Sequence, residues 1–170
     1  ASVTYLMPPK RASKRNFGMN EKLTTYLRET YPDIIGDDIY FECGDGWFLI
    51  IDSLCSQLQA YFVSTLGGED KSPPKAVQIK EKFGSLRFYT DAIQGERVYI
   101  EAVYASISMA ERLSRRTCEC CGRPSYPSGE WRIKNFCAWC RTDGWRTFQE
   151  EFVQECENYI EEKTKDEEFD

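Results

Sequence analysis

The sequence contains no histidine. That absence excludes Ser-His-Asp triads, Cys-His nucleophile pairs and metal centres of the HExxH type. Any enzyme built from this chain has to work with carboxylates, lysine, tyrosine or cysteine. Also missing is any apolar run approaching the roughly 20 residues that span a bilayer, so no membrane partner is expected. The opening ASVTYLMPPKRASKR places its charges after its few apolar residues, the reverse of the order a secretory signal needs. The expected location is therefore the cytoplasm, where thiols stay reduced.

Charge is plentiful but unevenly placed. A net charge of −6 over 170 residues conceals four blocks of alternating sign. Residues 1–22 carry five basic groups against Glu21, and residues 23–111 carry seven basic against fourteen acidic. Residues 112–146 have eight basic groups and three acidic ones, whereas ten acids oppose Lys163 and Lys165 in the remainder. A basic segment rich in cysteine is thus flanked by acidic ones.

The expected fold class is α+β: helices packed on a small antiparallel β-sheet or hairpin, with a four-cysteine, zinc-ribbon-like module and a C-terminal helix. Residues 1–19, with Pro8-Pro9 and no apolar period, read as a flexible basic arm. Residues 20–116 read as the core. Asn20 is placed to cap a helix running to Thr30. Ile39–Phe41 is a short strand candidate leading into the Cys43-Gly44-Asp45-Gly46 turn. Ile50, Leu54, Leu58 and Phe62 recur every four residues in a helix from Gly46 or Trp47 to about Leu66. Val77–Lys80 and Leu86–Tyr89 alternate around Phe83-Gly84-Ser85 as a hairpin. A helix over 96–116 is expected to bury Val98, Ile100, Ala102, Val103, Ile107, Met109, Ala110 and Leu113. The cysteine module spans 117–141, a last helix packs on the core within 142–163, and an acidic, disordered tail occupies 164–170.

Cys118 and Cys121 are separated by two residues, as are Cys137 and Cys140, with 15 residues between the pairs. Cys-x2-Cys-x15-Cys-x2-Cys is a zinc spacing, because two thiolates two residues apart reach one ion across a tight turn. Gly122 follows the first pair, where a residue free to take positive φ lets the turn close. Cys120 is the spare, since adjacent Cys121 points elsewhere and Cys118 is only one residue removed. Disulfides, an iron–sulfur cluster, a redox-active CxxC and a register using Cys120 are the competing readings. Four thiolates around Zn²⁺ leave no position for water or substrate, so the expected role is structural. Zinc binding contributes about 10–16 kcal/mol in small zinc peptides, enough to order a segment as poor in apolar residues as Gly122–Phe136. Cys43, Cys55 and Cys156 read as small buried hydrophobes.

The combination of Gly44-Asp45-Gly46-Trp47, Ile51–Cys55, Lys80-Glu81-Lys82-Phe83-Gly84-Ser85-Leu86-Arg87-Phe88-Tyr89 and Cys118-x2-Cys121-Gly122 resembles a family of small proteins from phages, prophages and bacteria. The likeness covers residues 40–145. Family members often close the second knuckle with His, where Cys140 stands here, an exchange zinc accepts. The resemblance implies a phage or mobile-element origin and a zinc-bound C-terminal module, and brings no established activity with it.

Three functional expectations follow. The first is a non-enzymatic zinc protein that acts by protein–protein interaction, as an inhibitor or adaptor directed at a host protein, including one of host defence. Its acidic surface suits a basic groove. The second is nucleic-acid binding through the module, with Arg115, Arg116, Arg123, Arg132 and Lys134 on phosphates and Trp131 stacking on bases. The third is a Mg²⁺-dependent nuclease using Asp45 with Gln78-Ile79-Lys80. Asp45 is more simply a helix cap within a glycine-flanked turn, with Trp47 packing beside it.

Overall fold

The computed structural model describes residues 18–130 and 132–167. Its elements run α1 (Glu21–Thr30), β1 (Phe41–Glu42), α2 (Phe48–Val63), β2 (Ala76–Lys82), β3 (Ser85–Thr90), α3 (Arg97–Ser114) and α4 (Trp145–Glu167). Short 3-10 turns precede α2, follow it, and precede α4. The architecture is α+β, with four helices, a three-stranded sheet and a cysteine cluster between α3 and α4. No helix among the described residues is long and apolar enough to cross a membrane.

Asn20 caps α1 as its sequence position demands, its side chain accepting from the Lys22 N–H at 2.9 Å. The hairpin turns on only two residues, Phe83 and Gly84, with φ of 54° and 71°. Positive φ at both central positions is what a tight hairpin with right-handed strand twist requires. β2 and β3 are antiparallel, as expected. β1 joins them in parallel, opposing Phe41 to Ile79, so the sheet is mixed in the order β1-β2-β3. The far edge of β3 is covered by α3, whose Ser114 hydroxyl and Glu111 carboxylate accept the Leu86 and Phe88 N–H groups.

One core collects Leu23 and Leu27 of α1, Phe48, Ile51 and Leu58 of α2, Ile79 and Leu86 of the sheet, and Tyr99 and Val103 of α3. Each such side chain, fully buried, stabilises the fold by about 1.5–3 kcal/mol. Cys43, Cys55 and Cys156 lie buried among them. Burial pushes the Cys156 thiol up to about 12, which makes it inert at neutral pH.

Several expectations need correction. Met19, assigned to a flexible arm, is buried in the core; residues 1–17 of that arm lie outside the described residues. α2 stops at Val63 and a 3-10 turn, Thr65–Gly67, completes the approach to Gly68. α4 continues through the expected disordered tail as far as Glu167, and residues 168–170 lie outside the described residues. On α3 the buried face is Tyr99, Val103, Ile107, Ala110 and Ser114, which leaves Val98, Met109 and Leu113 exposed.

α4 reaches the core through a buried carboxylate. Asp52 on α2 accepts the Tyr31 hydroxyl at 2.7 Å on one oxygen and the Tyr159 hydroxyl at 2.8 Å on the other, with Lys163 Nζ 3.4 Å away. A buried charge is tolerable only when partnered in this way. Burial and the adjoining carboxylate raise the Tyr31 hydroxyl well above its ordinary range, so it stays a donor.

Candidate metal centre

α3 ends where Arg115 and Arg116 direct N–H groups back to Arg112 and Leu113 carbonyls, and the chain enters the first knuckle at Thr117. The knuckle closes when the Gly122 N–H reaches the Cys118 carbonyl at 3.0 Å and the Cys118 N–H reaches the Arg123 carbonyl at 2.7 Å. Gly122 adopts φ 68°, and a Cβ there would lie 2.5 Å from the Phe152 ring of α4. Both backbone and packing therefore demand glycine. The second knuckle is the turn at Trp139–Arg141 just before α4.

The two knuckles bring the sulfurs of Cys118, Cys121, Cys137 and Cys140 within 4.8 Å of one another, all four buried. Cys121 and Cys137 sulfurs stand 3.6 Å apart. A tetrahedral ion with metal–sulfur bonds of about 2.3 Å sets its ligands roughly 3.8 Å apart, so the Cys121–Cys137 pair stands at that spacing and the four sulfurs are close enough to be drawn onto one ion. Backbone N–H groups face the sulfurs as well, from Cys137 to Cys118 at 3.3 Å and from Cys140 to Cys137 at 3.5 Å. The Arg123 guanidinium stands 4.0 Å from the Cys121 sulfur. These donors favour thiolate over thiol.

Without a cation the four sulfurs cannot all ionise. Hydrogen bonds from the Cys121 and Cys140 thiols hold Cys118 far below the usual thiol range. The same contacts push Cys121 up to about 12 and raise Cys140 further. Whichever sulfurs carry protons yield them when a divalent ion enters. Cys120, buried beside the cluster, is not among the four converging ligands.

The GDGW turn serves this centre. The Gly46 N–H donates to the Glu119 carbonyl at 2.9 Å, and Trp47 Nε1 donates to the Thr117 carbonyl at 2.9 Å. A Cβ at Gly44 would lie 2.3 Å from the Glu119 carbonyl oxygen, and one at Gly46 would lie 2.1 Å from that of Cys118. The glycines let backbone rest on backbone. Asp45 does not cap α2. Its carboxylate accepts the Asn20 N–H and the Gln149 amide, each at 2.5 Å, joining the start of α1 to α4. Burial raises its pKa, and those two hydrogen bonds oppose the rise.

Two side chains that spacing alone did not mark as important are Asn135 and Glu119. Buried Asn135 donates to the Ser114 carbonyl at 2.7 Å and accepts the Ser125 hydroxyl at 2.6 Å, tying the segment between the knuckles to the end of α3. Its sole sequence cue is a polar residue beside Phe136-Cys137. Glu119 sits inside the first knuckle, buried, with Lys134 Nζ at 3.6 Å; Lys134 also pairs with Glu81. Burial lifts Glu119 to about 7, with Lys134 opposing and Glu81 reinforcing the shift.

The remaining candidates separate. Lys134 is engaged by Glu81 and Glu119, and Arg123 stacks 4.9 Å from the Phe148 ring centroid with Glu151 at 3.7 Å. Arg115, Arg116 and Arg132 are exposed, and Trp131 lies outside the described residues. Trp47 is fully buried. Asp45 faces a hollow of about 270 Å³ shared with Asn20, Gln149 and Glu157, which neither Gln78 nor Lys80 lines. Gln78 instead bonds to Glu42 at 3.1 Å, and Lys80 Nζ sits 5.5 Å from the Tyr89 ring centroid. Compared with family models, with curated proteins and with solved structures, the chain finds no match.

Proposed function

We infer that the protein is a zinc-stabilised, non-enzymatic binding protein whose metal is structural and whose partner is a host protein. The observation that carries the reading is four buried cysteine sulfurs gathered within 4.8 Å of one another, near enough for one ion to collect them. Thiolate ligands, histidine being absent, favour zinc in a reducing compartment. The ion links the end of α3 to the start of α4 and holds an otherwise polar loop. The partner is expected to be basic, because α4 presents Glu150, Glu151, Glu155, Glu161 and Glu162 to solvent. Likeness to small phage proteins supplies the class of partner.

Elemental analysis of reductively purified protein should find one zinc per chain, retained in Cys120→Ser and lost in Cys137→Ser. Chelator should lower the thermal melt. Absence of tightly held metal, together with a melt indifferent to chelator, overturns the zinc reading. Affinity recovery from host lysate should yield a partner that is lost when Glu150, Glu151 and Glu155 are reversed to Lys; recovery of nothing above background argues against the binding role.

Nucleic-acid binding is the second reading, favoured by the exposure of Arg112, Arg115, Arg116 and Arg132 together with Tyr126 and Trp139. Phosphate contact requires affinity for an oligonucleotide to fall steeply with salt. A salt-independent mobility shift contradicts it.

A further inference from the structure

α2 contains one charged residue in the whole of Phe48–Val63, and that residue, Asp52, is buried. Its solvent side is Leu49, Ser53, Ser56, Gln57, Gln59, Ala60 and Val63. α3 carries no charge between Glu101 and Glu111. In a chain that is 29% charged, two adjacent helices whose middle stretches expose no charge need a reason.

α3 also carries two apolar rows. One is buried, as described above. The other, Val98, Ala102, Ala105, Met109, repeats at four, three and four residues, the spacing of a helix–helix seam, and Leu113 continues it. Val98 is 51% exposed, Met109 64% and Leu113 51%, with Leu49 of α2 at 40%. Between the helices runs a groove of about 500 Å³ lined by Leu49, Ile50, Leu54, Tyr61, Met109 and Leu113.

The ends of this face differ in sign. α2 and α3 are antiparallel, since Leu49 meets Leu113 at one end and Gly67 meets Tyr99 at the other. Exposed Glu69, Asp70 and Glu96 gather at the Gly67 end, with Glu101 further along α3 paired to exposed Arg97 at 2.6 Å, so four acids there oppose the two basic groups Lys71 and Arg97. At the opposite end Arg112, Arg115 and Arg116 are exposed, and none of the three has an ion pair among the described residues.

We propose that this face docks a second copy of the chain, α3 running antiparallel to its counterpart across a two-fold axis. A patch that is acidic at one end, basic at the other and apolar between is complementary to itself under that symmetry. Each acidic end meets the basic end of the copy, twice over. The seam matches in size as well: antiparallel pairing brings Met109 and Leu113 toward the Ala102 and Val98 half of the copied helix. A parallel arrangement would set like charges together. Two helices about 25 Å long and together about 20 Å wide give a contact at the small end of specific interfaces, so association should be micromolar. The inference does not depend on the zinc reading, because the apolar residues of the face lie on α2 and α3, outside the cysteine module.

The test is sedimentation of the full metal-loaded chain from about 1 to about 100 μM, the range that brackets micromolar association. Wild type should pass from the 19.8 kDa monomer to the dimer across it. Met109→Lys, at an exposed position, should keep the wild-type circular dichroism spectrum and sediment as a monomer throughout. Leu49→Lys, on the other helix, repeats the measurement should Met109→Lys fail to fold. Arg112→Glu with Arg115→Glu should weaken the dimer at least about tenfold, and rising salt should weaken the wild-type dimer. A wild type that stays monomeric at every concentration overturns the proposal. A dimer that survives both lysine substitutions overturns it equally, by placing the contact elsewhere.

Discussion

At Gly46 a hydrogen stands where any side chain would strike backbone: a Cβ would lie 2.1 Å from the Cys118 carbonyl oxygen and 2.6 Å from the Gly122 nitrogen. Neither atom can swing aside, because both belong to the knuckle that bears two metal ligands. Gly46→Ala should therefore lower stability by about 3 kcal/mol or more, beyond ordinary overpacking, and weaken metal retention in a chelator competition. An alanine variant with wild-type melt and metal content would mean the knuckle does not rest on this turn. Asp45 is buried with a raised pKa, so the folded state holds its proton more tightly than the unfolded chain does. Its contribution to stability accordingly falls as pH climbs through the window above the unfolded value of about 3.9. Asn at this position keeps the acceptor for the Asn20 N–H, and the Gln149 amide can turn to present its oxygen. Asp45→Asn should be at least as stable as wild type at pH 7, with the advantage vanishing below about pH 4 in urea titrations at each pH. A variant clearly less stable at pH 7 would show that the fold needs the carboxylate charge.

Among the elements, α4 depends most on a polar anchor. Tyr31 and Tyr159 both donate to Asp52, so removing the carboxylate orphans two hydroxyls and leaves Lys163 without its anion. Asp52→Ala should cost about 3–5 kcal/mol, whereas Tyr159→Phe, which deletes one neutral donor, should cost about 1–2 kcal/mol. Urea midpoints measure both, and equal losses would mean that α4 is held by packing alone. The helices themselves were readable because their apolar residues recur with the helical period, and the hairpin because its strands alternate around Phe83-Gly84. The buried side of α3 was not, since Val98, Met109 and Leu113 form a second apolar row that periodicity cannot distinguish from the first. The parallel pairing of β1 was likewise hidden: two residues of strand carry no directional signal, and their partner is fixed by tertiary approach. Asp45 was misassigned as a cap because a glycine-flanked aspartate before a helix looks the same whether it bonds locally or across 104 residues to Gln149. The convergence of the four cysteines was legible from their spacing, whereas the hydrogen bonds of Asn135 and the ion pair of Glu119 with Lys134 join segments that no local pattern connects.

For the molecule as a whole, two apolar clusters meet at one ring. Phe152 packs against the main core and against the cysteine cluster, and it touches Gly122. The main core is built from α1, α2, the sheet and α3, with Cys156 of α4, and holds none of the four clustered cysteines. The module has few apolar residues apart from Phe136, Trp145, Phe148 and its cysteines, so the ion is expected to supply most of its order. Metal removal should therefore unfold the chain in parts. Hydrogen exchange after chelation under reducing conditions should rise across 117–141 and the first turns of α4, where Trp145 and Phe148 lose their support. Protection in α2, β2 and the Tyr99–Ala110 stretch of α3 should persist. Acid should produce the same pattern, because protons compete with the ion for the four sulfurs as pH falls. Restoring zinc at neutral pH should return the module to its protected state. Uniform loss of protection over both clusters would instead make the metal a condition for folding the entire chain, and unchanged exchange in the module would remove it from the structural account altogether.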